Sequence, residues 1–468
     1  MTKSQVHQQA FGYELNAIKP VHFANGFFLA ITGKHYRLEW LNKLSVVSHK
    51  KGLVGNYETP QLHATLSNEK NVLASAIDIE ALGYLRKQAN ALVSNDDAVY
   101  AAFDDYSAFG NDYTISGAEL LCDERLKDGF AGYFLYRVFS ESDAGREALR
   151  ISKDCFESGG DSLAALLGPI LDEAESATEW VNSYEEKLGE LACDRLAGIV
   201  ALMDAPTSAM LLMLRNAQSI ESRYVVLRQL VIALGVWLSV YLIREAGGAV
   251  GLALSPTLFC DFSGNKSRKC RGRSANCFSR HREMVYRSFE FWSESGRISS
   301  LDPFRNATTG QCDFKDVERH FSDLTVRVGL AQPRAATVRA KHYELQPDTT
   351  RSLVMSLISK DEPPLTFPEL ALRLRTTWGI SFGGCHDDAQ YLASRGIIGL
   401  DEDDDLSLNR KCFIEQMKTL GLAYEPSDGL VLCGLDLGPS STVWRVTKSK
   451  DPLLMRVCGR AAASESKM

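Results

Sequence analysis

What this chain lacks narrows its function first. Its 468 residues contain no H-E-x-x-H, no C-x-x-C and no G-x-G-x-x-G after an apolar run. Each of those spacings is dictated by its chemistry: two imidazoles on one helix face, a dithiol, or glycine amides around a pyrophosphate. The usual zincins, dithiol oxidoreductases and dinucleotide enzymes are thereby excluded. Histidine is scarce, at nine residues, and His281, His320, His342 and His386 stand isolated in sequence, which favours structural or surface roles over a base. No repeat of solenoid period is visible.

An apolar leader is also missing. The opening residues MTKSQVHQQAFGY hold no hydrophobic core of a signal peptide, so a cytoplasmic chain is expected. The eleven cysteines are scattered, odd in number and mostly set in apolar segments, which fits reduced thiols inside a cell better than a disulfide framework. Nor is there an unbroken apolar stretch of bilayer length. Residues 224–243 come nearest, but Arg228 and Gln229 interrupt them and leave 230–243, too short to cross. A buried core helix and no membrane contact are expected there.

What is present is an ordinary globular composition, 45% hydrophobic and 24% charged, in a chain long enough for several domains. The net charge of -7 is unevenly spread: 22 Lys/Arg face 32 Asp/Glu up to Val250, and 30 face 27 beyond it. Any polyanion therefore belongs to the second half. Within it, residues 266–282, KSRKCRGRSANCFSRHR, pack seven cations into seventeen positions. A run this basic is costly to bury and is expected at the surface, facing something negative.

The apolar periodicity predicts a mainly α, multi-domain protein. Residues 1–130 read as a mixed α/β region, with a strand or short helix over 22–32, a helix over 71–92 and a connecting tract over 96–113. Residues 131–300 read as a helical core with a basic loop. Helices are expected over 161–174, 180–203 and 219–245, punctuated by Gly159-Gly160 and by a turn at Asp204-Ala205-Pro206, with Gly247-Gly248 ending the last. After a β-like run over 250–262 and the basic stretch, helical spacing resumes over 283–294. A helical connector over 301–364 includes an amphipathic helix over 315–328 and a weaker basic patch of Arg334, Arg339 and Lys341. Residues 447–468 read as a tail.

Residues 365–446 are the clearest module. Thr366-Phe-Pro-Glu369 is a capping box that starts a helix burying Phe367, Leu370, Leu374 and Trp378. A second helix is expected over 387–394, a third over 409–420, and a hairpin over 423–433 turning at Ser427-Asp428-Gly429. Three short helices and a hairpin resemble a winged-helix domain. In such a domain the third helix reads nucleic acid, here with Asn409 and Arg410 at its start and Lys411, Glu415 and Lys418 outward. Arg373 and Arg375 on the first helix add positive charge.

The candidate nucleic-acid-binding residues are therefore Lys266, Arg268, Lys269, Arg271, Arg273, Arg280 and Arg282, with Arg373, Arg375, Arg410 and Lys411. Three neighbouring patterns imitate other chemistry. Gly264-Asn-Lys266-Ser267 has the end of a phosphate-binding loop, but Asn265 and Cys260 stand where its glycines belong. Cys260, Cys270, Cys277 and His281 offer four zinc ligands, yet only Cys277-x₃-His281 has pair spacing; zinc and free thiols both fit, and the spacing favours thiols. The Asp401–Asp405 run places Leu406 and Cys412 where a calcium loop needs Gly and Glu, so it reads as a solvated turn favouring the next helix N-terminus. No metal, cofactor or catalytic residue is assigned.

On the segments FPEL, WGISFGG, DLSLN and LGLAYEPSDGLVL, together with the overall layout, the chain resembles large bacterial accessory subunits of multi-gene anti-phage defence systems. That resemblance implies a non-catalytic DNA-binding scaffold that works with other protein subunits, an ATPase or nuclease among them, and no catalytic residue. The alternative is a metal-dependent nuclease whose carboxylates are spread through the sequence.

Overall fold

The computed structural model describes residues 1–15, 20–32, 130–157, 193–220, 223–264, 266–333, 340–426 and 430–435. Helices make up 65% of it and strands 6%, so the mainly helical expectation holds. The segments over 71–92, 96–113 and 161–174, the hairpin turn at Ser427–Gly429, Arg334, Arg339 and the tail lie outside the described residues. The chain divides into two units: Met1–Ala201 with Ser222–Gly235 and Trp292–Val328, and Leu202–Glu221 with Val236–Phe291 and Gly329–Met468.

In the first unit, helix α1 (Lys3–Phe11) is closed at its start by a capping box, Thr2 with Gln5, and at its end by left-handed Gly12. The apolar run over 22–32 is helical, as part of α2 (Pro20–Thr32). It lies against α3 (Ala131–Ser140), where Gly132 is needed: a Cβ there would sit 2.2 Å from the Phe23 carbonyl. α4 (Asp143–Glu157) follows α3. The amphipathic helix expected over 315–328 is α8 (Lys315–Arg327); its His320 accepts or donates to the Tyr13 hydroxyl at 3.1 Å in a buried cluster with His7.

The Asp204-Ala205-Pro206 turn does not exist. One helix, α5 (Cys193–Ile220), runs through Pro206. Proline leaves the carbonyl four residues back without its usual donor. That carbonyl belongs to Leu202, and the Arg244 guanidinium donates to it at 3.1 Å while also bonding the Thr377 carbonyl at 2.7 Å. A side chain from the next helix thus replaces the missing amide, so the chain has no reason to turn.

That next helix is α6 (Arg223–Ala249), ending just past Gly247-Gly248. It is apolar all round, the pattern of a helix buried on every side. Arg195–Ser219 and Val225–Ala249 are both long and apolar enough to cross a bilayer, with 39% and 94% of their most apolar windows buried in the protein. In the second unit Trp237 stacks on Tyr241 and donates to the Thr207 hydroxyl, and the Asn216 amide bonds the carbonyls of Met355 and Ile358.

The strands are short. β1 (Leu258–Phe259) pairs in parallel with β5 (Ile380–Ser381), and β2 (Ala331–Gln332) pairs antiparallel with β3 (His342–Tyr343). The largest change from expectation follows β1. Residues 268–294 are not a basic loop and a later helix but one helix, α7 (Arg268–Glu294). Its first half buries Cys270, Ser274, Cys277, Phe278 and His281, a true helical stripe in which every residue but Phe278 is small or polar and is underrated by hydropathy.

Beyond α9 (Pro347–Met355), β4 (Leu365–Thr366) leads into α10 (Phe367–Trp378), which starts at the predicted capping box and buries the four predicted residues. α11 (Asp388–Ser394) and α12 (Ser407–Thr419) follow, then β6 (Ala423–Tyr424) and β7 (Leu432–Cys433). The sheet order is β4-β7-β6, antiparallel throughout. Phe413 of α12 packs at 4.4 Å on both Phe262 and Phe382, so α12 is locked onto the residues that follow β1 and β5.

Candidate nucleic-acid interface

The geometry starts at the N-terminus of α7. Ser267 caps it, its hydroxyl accepting from the Cys270 amide at 3.2 Å and donating to Asp405 Oδ1 at 3.1 Å. The same carboxylate receives Lys269 Nζ at 3.2 Å and the Asp401 amide at 3.2 Å on Oδ2. Burial pushes the Asp405 carboxyl up, but those hydrogen bonds outweigh it and hold it below the ordinary range. A carboxylate at the positive end of a helix dipole is well placed. The acidic run is therefore not a wholly solvated turn: Asp405 is buried and staples its segment to α7, while Asp401, Asp403 and Asp404 stay exposed.

Four residues later the chain makes a second tie. Asn409, expected at the start of the reading helix, is fully buried. Its Oδ1 accepts from the amides of Phe262 and Ser263, and its Nδ2 donates to the carbonyls of Cys260 and Phe382. One amide side chain thus closes the end of the β1–β5 pair. The sequence places Asn409 at a helix start without revealing this anchoring role, though Asn409, Phe413 and Met417 share one buried face at four-residue spacing. Through Asp405 and Asn409 the N-terminal ends of α7 and α12 become neighbours.

The candidate cations separate accordingly. Lys266, Arg268 and Lys269 are exposed at the start of α7, Lys411 is exposed and Arg410 half-buried at the start of α12. Lys266 and Arg268 have no carboxylate partner among the described residues. Arg271, Arg273 and Arg282 are half-buried, and Arg273 passes so close to Gly399 that a Cβ there would sit 2.9 Å from its guanidinium. Arg280 donates to the carbonyls of Arg395 and Gly396. Arg373 bonds Glu362 and the Leu357 carbonyl; Arg375 bonds Asp387 and Asp388 and lies over the Tyr391 ring. Lys341, from the weaker basic patch, is buried with its ammonium on the Pro333 carbonyl. On α12, Lys418 bonds Glu415 and Glu425.

The four zinc-like residues are not gathered. Cys260, Cys270, Cys277 and His281 are each buried, and they turn to different partners: the carbonyls of Leu258, Asp405 and Thr257, and the Tyr343 hydroxyl. Burial pushes Cys270 and Cys277 up to about 11, so desolvation overrides the cations beside them and both stay protonated thiols. Among the described residues, the group with metal-ligand spacing is Cys385, Asp387 and Asp388, whose two carboxylates are engaged by Arg375.

No protein-family model, no curated protein and no solved structure matches this chain.

Proposed function

We propose that the chain is a non-catalytic nucleic-acid-binding and scaffold subunit of a cytoplasmic bacterial assembly of the anti-phage defence kind. It would contact DNA through the joined ends of α7 and α12 and hold other protein subunits. One observation carries this reading. Two basic sets about 140 residues apart in sequence, Lys266-Arg268-Lys269 and Arg410-Lys411, are tied into one surface by Asp405 and Asn409.

A winged-helix reading of the last module is supported by the element order. The strand β4, the helices, α12 and the hairpin β6–β7 close a three-stranded sheet in the order β4-β7-β6. In such a module the N-terminal residues of the reading helix approach the groove, which is where Arg410 and Lys411 stand. Exposed Asp401, Asp403 and Asp404 lie close by, so affinity rests on few cations and is sensitive to ionic strength.

The test is fluorescence anisotropy with a labelled DNA duplex in EDTA over a salt series. Lys266, Arg268, Arg410 and Lys411 are changed together to Ala, leaving the Lys269–Asp405 staple intact. Four phosphate contacts give a log–log salt slope of about -4, and the variant should flatten it toward zero. Absence of binding at low salt, or an unchanged slope in the variant, refutes the proposal. Cleavage of the duplex on adding Mg²⁺ or Mn²⁺ would replace the scaffold with the nuclease alternative.

A further inference from the structure

The second half of α7 borders a feature that the nucleic-acid reading does not use. Positions 277, 280, 281, 284, 287 and 291 recur at three- and four-residue spacing and line one wall of a cleft of about 630 Å³. The residues around Leu252–Pro256 and Ser394–Ile397 form the rest of the lining. Its apolar surface comes from Leu252, Leu254, Met284, Phe291 and Ile397. Leu252, Leu254 and Phe291 are 50%, 47% and 44% exposed, half of the exposed large hydrophobic side chains among the described residues. Apolar side chains left this open and grouped in one trough mark a docking surface rather than a core.

Charge defines the occupant. The rim carries Arg280, Arg287 and Arg395 against the single carboxylate of Glu283, which pairs with Arg287 at 2.5 Å. Arg280 rests on main-chain carbonyls, and Arg395 lies 3.7 Å over the Tyr391 ring and donates to the Ser394 hydroxyl. Arg280 and Arg395 thus have no carboxylate partner among the described residues and stand at the edge of an aliphatic floor. Nucleic-acid bases favour aromatic platforms, and among the described lining residues Phe291 is an exposed aromatic ring whereas His281 is buried. From Cys277 to Phe291 the helical wall runs roughly 21 Å, about four turns.

We propose that this trough docks an amphipathic helical segment of a partner protein, about fourteen residues long, with leucine-type side chains on its inner face and Asp/Glu along its flanks. This gives the scaffold role a defined attachment point on a different set of residues from the DNA surface.

The probe is a fluorescein-labelled helical peptide of about sixteen residues with Leu on one face and Glu on the flanks. A second peptide carries Lys in place of Glu, and both are titrated into the full chain. The Glu peptide should bind, and Leu254→Asp should weaken it by about tenfold or more. Arg287→Glu with Arg395→Glu should do the same and transfer preference to the Lys peptide. Leu252→Asp repeats the apolar test if Leu254→Asp lowers the melting temperature. The proposal is overturned if the two peptides bind alike, if charge reversal leaves the dissociation constant unchanged, or if neither peptide binds at about 100 μM. It is overturned equally if Leu254→Asp abolishes capture of a labelled single-stranded oligonucleotide while leaving the peptide untouched. None of these substitutions touches Lys266, Arg268, Arg410 or Lys411, so the salt-series experiment succeeds or fails independently.

Discussion

Replacing Asn409 by Ala tests the joint between α7 and α12 directly. The side chain is fully buried and makes four hydrogen bonds, at 2.6 and 3.1 Å as acceptor and 2.9 Å twice as donor. The Ser263 amide keeps a second acceptor in Asp261, so three main-chain groups lose the partner Asn409 supplies: the Phe262 amide and the carbonyls of Cys260 and Phe382. A buried group left unpaired costs about 1–3 kcal/mol, and partial relief by water brings the sum to roughly 3–5 kcal/mol. Because a chain of this size does not unfold in one step, the readout must be local. Hydrogen exchange in segments covering 258–263 and 380–383 should accelerate by roughly two to three and a half orders of magnitude, at one order per 1.4 kcal/mol. Asn409→Asp keeps the acceptor but turns a charge toward two carbonyls, and should be at least as damaging at neutral pH. Exchange within a factor of about three of the parent, under 1 kcal/mol, would refute the claim that this amide holds the two helices together.

Two further outcomes follow from single positions. Gly329 has φ of +75°, and a Cβ there would lie 2.4 Å from the buried Thr349 hydroxyl; Gly329→Ala should cost about 2–4 kcal/mol, seen as a lowered thermal midpoint, and an unchanged midpoint would contradict the geometry. Burial, then the Arg280 charge, lowers His281 to about 3, against about 6.5 when unfolded. Between those values the unfolded chain holds a proton the folded chain does not, so stability is complete above pH 6.5 and falls as the pH drops. Buried His7 is shifted the same way. Melting across that range should show a shallower slope for His281→Phe than for the parent; parallel slopes would sink the assignment.

The legible parts of this protein are those whose signals are local. Thr366 and Glu369 stand three residues apart and announce α10 because both ends of the capping box lie within one turn. The apolar residues of α6 announce a buried helix because no face is left for water. The basic run was visible as charge, since charge needs no partner to be counted. Its helical form was not, because apart from Phe278 its buried stripe consists of cysteine, serine and histidine, whose burial depends on what they meet. Pro206 reads as a break in any local scheme, and only Arg244 reverses that reading.

The same division governs the candidate interface. Sequence alone determined which residues carry positive charge and that the last module is three helices and a hairpin. Tertiary structure alone decided that Asp405 is a staple rather than a solvated acid, that Asn409 is an anchor rather than a reader, and that Arg373 and Arg375 are held by carboxylates. The physical reason is sequence separation. Asp405 lies 136 residues from Lys269 and Asn409 lies 149 from Cys260, and a hydrogen bond closed over such a distance leaves no periodicity, spacing or cap in the chain between its ends.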